Sequence, residues 1–161
     1  MTEEQMEKFL DRAEQLGHSR THLREHGWQT TTVTLNDIEQ VRKFVHPLDP
    51  AHAEAREAHI SGLAMGRERT LGEHIESYLY GTGDLSTQQV RAANKGLPVT
   101  IQVSSLINDT MPHGETVIGP SGEPVVWNRG TLQFYSDSYL TVKNNFFTLD
   151  VQNLVMQYTG A

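Results

Sequence analysis

Histidine is the residue type with the most chemical potential in this chain, which holds eight of them and no cysteine. His18, His22 and His26 recur at steps of four in GHSRTHLREHG. Two histidines four apart on a helix lie about one turn apart on the same face and can share one metal ion. All three cannot reach one ion from a straight helix, because the first and last would stand ~12 Å apart along the axis. A site here therefore needs a histidine pair and a ligand from elsewhere. A second set draws on two further helices: His52 and His59 share a face seven residues apart, and His74 lies beside Glu73. Neutral imidazole with carboxylate suits zinc, nickel, copper or iron, so a divalent transition metal is the cofactor these residues imply. The HExxH pattern of a metalloprotease is missing, and Arg20, Arg24 and Glu25 around the first set fit an ordinary solvated face equally well.

Other chemistry is thinner. There is no phosphate loop, no GxGxxG opening a helix after a strand, and no GxSxG elbow. Ser104 or Ser105, His113 and Asp109 supply the residue types of a hydrolytic triad, although proximity in sequence is poor evidence for that geometry. His113 stands between turn-formers in Met111-Pro-His-Gly114. It is expected on a loop, where a base or ligand can be presented by a rigid scaffold.

The elements that must position these residues fall into two compositional regions. Residues 1–96 carry 15 Asp/Glu, 11 Lys/Arg and seven of the eight histidines, whereas residues 97–161 carry only 5 and 2. The expected organisation is α+β: a helical region over 1–96, then an all-β region over 97–161, as one compact unit or as a β domain with a helical cap. Helices are predicted from Thr2 to Leu16, with Thr2 and Gln5 as capping box, and from Ser19 to His26, ended by Gly27. Others start at Asn36, with that residue as cap, at Asp49-Pro50, at Thr70 with Glu73, and at Ser86 with Gln89. Gln29–Leu35 is β-branched and reads as a short strand or extended arm.

After Pro98 the period becomes two. Strands are predicted around residues 99–103, 115–118, 124–127, 131–135, 139–143, 146–151 and 154–158. Turns are expected at Gly119–Gly122, Asn128–Gly130, Ser136–Ser138, Asn144-Asn145 and Gln152-Asn153. An antiparallel meander or sandwich is the favoured arrangement. A short β-solenoid is the runner-up, because Val117, Val125 and Leu132 have counterparts Leu140, Leu149 and Met156 about two dozen residues on, and Asn128 and Asn153 could stack at a corner.

Net charge is −7, which argues against a general nucleic-acid binder. Protonating all eight histidines would bring it to +1, so mild acid would discharge the chain. No apolar run approaches a membrane span, and the acidic, amphipathic start does not read as a secretory signal, which makes the cytoplasm the expected location. The charge-poor β region, rich in aromatics, points to a non-enzymatic, self-assembling or partner-binding protein, with a homo-oligomer expected. Tyr135, Tyr139 and Phe146 are the candidate interface residues, facing another subunit or a sugar. The alternative is a small metal-dependent enzyme using the His/carboxylate sets.

Overall fold

The computed structural model describes residues 1–120 and 122–157. Among the described residues, six helices and six strands follow in the order α1 (Glu3–Gln15), α2 (Arg20–His26), β1 (Trp28–Leu35), α3 (Ile38–Val45), α4 (Pro50–Leu63), α5 (Leu71–Tyr80), α6 (Thr87–Asn94), β2 (Val99–Thr110), β3 (Gly114–Ile118), β4 (Val125–Tyr135), β5 (Ser138–Val142) and β6 (Phe147–Gln157). The chain divides into two compact units, Met1–Val33 with Thr100–Ala161, and Thr34–Val99.

Helix boundaries follow local chemistry. Thr2, Thr70 and Ser86 each accept from the backbone N–H three residues on, and Gln5, Glu73 and Gln89 reciprocate, satisfying two orphan donors per terminus. Ser19 and Asp49 cap α2 and α4. The start of α3 differs from the expected one by a residue. Asp37, not Asn36, is the cap, because its Oδ1 reaches the Glu39 N–H at 2.8 Å. Gly27 closes α2 at φ +80°, a left-handed conformation that costs glycine least.

The first unit is built on a four-stranded sheet in the order β1-β2-β4-β6, with a two-stranded sheet of β3 and β5 beside it. The pairs β2–β4, β4–β6 and β3–β5 are all parallel. This overturns the expected antiparallel sandwich or meander. It also overturns the expected succession of helices followed by a separate all-β region, since β1 comes from among the helices and joins the same sheet. The physical reason lies in the turns. Asn128–Gly130 and Gln152-Asn153 were expected to be hairpin corners, but both lie inside strands of 11 residues. Without a tight turn there, a strand cannot fold back antiparallel. The chain instead crosses through β3 or β5 and returns in the same direction.

The solenoid expectation fails as well. The strands form two separate open sheets rather than a coil, and the register differs from the one expected. Val125 pairs with Phe147, Leu132 with Leu154, and Val117 with Thr141, while Asn128 stands opposite Asp150 and Asn153 opposite Thr131. Gly130 fits mid-strand because a Cβ there would come within 2.5 Å of the Ile107 carbonyl oxygen. Helix α1 lies against β4 and β6. Its Phe9, Leu10 and Ala13 are fully buried, and they cluster with Leu23 and the partly buried Met6 and Ile107.

In the second unit α3, α4, α5 and α6 pack through Ile38, Val41, Val45, Ala53, Ile60, Tyr80 and Ala93. Arg42 lies over the Tyr78 ring and donates to the Tyr78 carbonyl. Glu57 is the polar hub of this unit. It accepts from Ser77 Oγ at 2.5 Å and from the Thr82 N–H at 3.0 Å, and pairs with Arg69 at 2.7 Å. Burial acts to raise the Glu57 carboxyl, but these bonds outweigh it and hold the group at about 2. Tyr80 is pushed up to about 12 by burial.

Candidate functional site

A polar row crosses the middle of the four-stranded sheet. Ser105 of β2 pairs with Asn128 of β4, and Asn128 with Asp150 of β6. All three are buried. Asn128 Nδ2 donates to the Phe9 carbonyl and to Ser105 Oγ, each at 3.2 Å. At one end of the row Ser105 Oγ lies 2.7 Å from His18 Nδ1, and His18 Nε2 lies 2.8 Å from Thr31 Oγ1. At the other end Arg12 Nε donates to Asp150 Oδ2 at 2.7 Å.

The row defines its own proton positions. The Phe9 carbonyl can only accept, so the Asn128 amide nitrogen must face it. Ser105 accepts from that amide, and its own proton finds an acceptor in His18 Nδ1. His18 is then the neutral tautomer with Nε2–H directed at Thr31. Burial lowers the His18 pKa first, and the neighbouring His22 charge adds to this. Burial pushes the Asp150 carboxyl up against the pull of Arg12. Asn128 Oδ1 is buried and has no hydrogen-bond partner among the described residues.

These are the residue types of hydrolytic chemistry, but Ser105 is fully covered and His18 is 3% exposed. A nucleophile must meet its substrate. The row is therefore an internal clamp between α1, the α1–α2 connection and four strands. The triad drawn from sequence is not assembled: Asp109 takes the Arg129 guanidinium at 2.8 Å, and His113 pairs with Asp137 at 2.8 Å while stacking on Tyr135 at 4.1 Å. Arg129 itself lies over the Trp127 ring, and burial lowers its pKa.

The sequence-derived metal ligands separate into four situations. His18 uses both ring nitrogens on hydroxyls. His22 and His26 remain together, ring centres 4.5 Å apart. His52 and His59 are exposed on α4, with His52 Nε2 3.9 Å from Asp49. Glu73 is engaged by Arg67 and by the Thr70 cap, and His74 beside it is half-buried. Among the described residues no three His, Asp or Glu side chains converge on one ion position.

Among the described residues of the β region, β6 presents an accessible apolar stripe. Leu132 of β4 is fully buried, while Leu154, its register partner on β6, is 61% exposed. Met156, opposite Phe134, is 60% exposed. Tyr139 on β5 and Phe146 just before β6 are exposed, and Tyr135 is half-buried against His113. Within β6 the one charged residue is Asp150, which faces Arg12 inside. The full Leu154–Met156 stripe was missed from sequence. Its signal was the charge-free run VQNLVMQ, split there by a turn expected at Gln152-Asn153.

Comparison with known proteins returns no matching family model, no matching curated protein and no matching solved structure. Among the described residues no helix is long and apolar enough to cross a membrane.

Proposed function

We propose that this chain is a non-enzymatic assembly protein that associates with a second copy of itself through the edge of β6. One observation carries the reading: an apolar row covered at Leu132 continues uncovered onto Leu154. An edge strand presents unpaired N–H and C=O groups, and natural proteins usually guard such edges with charge, proline or bulges. β6 is 11 residues long, has no proline, and turns its one charge, Asp150, inward onto Arg12. The same lack of outward charge favours a second copy as occupant. A chain of net charge −7 repels itself over most of its surface, but two β6 strands can align without placing like charges opposite each other. Pairing about a two-fold axis would bury Leu154 and Met156, with Tyr139 and Phe146 at the rim.

Light scattering on the size-fractionated chain across micromolar concentrations tests this. A dimer or larger species that dissociates in Leu154→Lys/Met156→Lys supports it. A monomer throughout, or an oligomer indifferent to those substitutions, overturns it.

A further inference from the structure

We propose that His22 and His26 form a preformed two-imidazole site for a divalent transition metal of the copper and nickel type. The rings stand 4.5 Å apart, centre to centre, at an interplanar angle of 42°. With metal–nitrogen bonds of about 2.0–2.1 Å, each ring centre lies roughly 3.2 Å from the ion, so two imidazoles on adjacent corners of a square sit about 4.5 Å apart. Tetrahedral corners would separate them by about 5.2 Å on the same reckoning. The observed spacing fits adjacent positions of a tetragonal ion.

The pair is held in place by its helix. α2 is capped by Ser19 and closed by Gly27, and its Leu23 is fully buried. The Gly27 carbonyl accepts from the Ile107 N–H of β2 at 3.0 Å, which ties the end of the helix to the sheet. The cations nearby are directed elsewhere. Arg20 is gripped by Glu7, Asp11 and Glu14 of α1, and Arg24 by Glu7. Glu25 Oε2 lies 3.9 Å from His26 Nε2, adding negative charge. His18, the third histidine of the series, is committed to Ser105 and Thr31. Two imidazoles without a third convergent ligand rank ions by their intrinsic affinity for nitrogen, with Cu(II) above Ni(II) and Zn(II), and Mg(II) or Ca(II) excluded.

Trp28 supplies a reporter. Its ring meets His22 edge-on at 6.0 Å and is 52% exposed. Titrating the full chain, prepared without an added histidine tag, with Cu(II) or Ni(II) should quench tryptophan fluorescence along a saturable curve at one equivalent. His22→Asn or His26→Asn should each weaken binding at least tenfold, whereas His52→Asn/His59→Asn should leave it unchanged. In Trp28→Phe most of the quenching should vanish while calorimetry still records the binding. Mg(II) should give no response. Both ligand variants alter exposed or half-exposed side chains, so circular dichroism should match the parent. Quenching that does not saturate, that persists in both single variants, or that is lost with His52 and His59 instead, would overturn the assignment.

Discussion

Asn128 Nδ2 lies 3.2 Å from the Phe9 carbonyl oxygen, joining the centre of β4 to the centre of α1 across 119 positions of sequence. The contact explains how an asparagine and a glycine come to stand mid-strand. The side chain that would favour a turn by bonding its own backbone is occupied by the helix above it. At Gly130, two residues on, the missing Cβ leaves room for the Ile107 carbonyl. Gly130→Ala should therefore destabilise the first unit by about 1–3 kcal/mol through forced backbone displacement, measurable as a lowered urea midpoint. An unchanged midpoint would mean that β2 and β4 can part there at no cost.

Arg12 and Asp150 are 2% and 5% exposed, so removing one partner leaves a buried charge. Arg12→Leu should cost about 3–5 kcal/mol, and Arg12→Leu/Asp150→Leu markedly less than the sum of the single changes. A double-mutant cycle on denaturant unfolding measures this coupling. Additive losses would show that the pair does not act as a unit.

His18 is buried in its neutral form, with its pKa lowered. Above about pH 6.5 folded and unfolded chains both hold it neutral, and it contributes no pH dependence. Below that pH the unfolded chain takes up a proton that the folded chain resists. Stability then falls with falling pH until the folded pKa is passed, with a slope of at most about 1.4 kcal/mol per pH unit. His18→Asn should flatten the stability profile between pH 6.5 and 5. A profile unchanged by that substitution would contradict the neutral assignment.

Glu57 has its carboxyl held at about 2 by Ser77, Thr82 and Arg69 against the effect of burial. Its contribution is present above the ordinary value of 4.5 and is lost as pH falls from there toward 2. Glu57→Gln should lower stability at pH 7 by about 1–3 kcal/mol through loss of charge-assisted bonds. The variant should also lose less stability than the parent between pH 4.5 and 2. Acid titrations of both, followed by circular dichroism, compare the two profiles.

The proposed β6 contact is apolar, so its salt response should separate it from charge-driven association. Added salt screens the repulsion between chains of charge −7 and should strengthen the dimer. Sedimentation velocity at low and high ionic strength reads the effect. Dissociation on adding salt would point to ion pairs and away from this edge.

What the sequence by itself determined is the set of elements governed by near neighbours. The capping boxes at Thr2, Thr70 and Ser86, the Pro50 start, and the Gly27 stop each depend on residues within about four positions, and each stands where the local chemistry places it. The change of period after Pro98 likewise marked where β2 begins. Tertiary structure decided the direction of the strands, their register, the burial of Asn128, the placing of Gln152 within a strand, and the separation of His18 from His22 and His26. Each of those outcomes rests on a partner far along the chain: Phe9 for Asn128, Ser105 for His18, Arg12 for Asp150. A turn-forming residue and a strand residue with a distant partner look the same until that partner is in place. Burial of the distant pair, through the desolvation it imposes and the hydrogen bonds it then requires, is what selects between them.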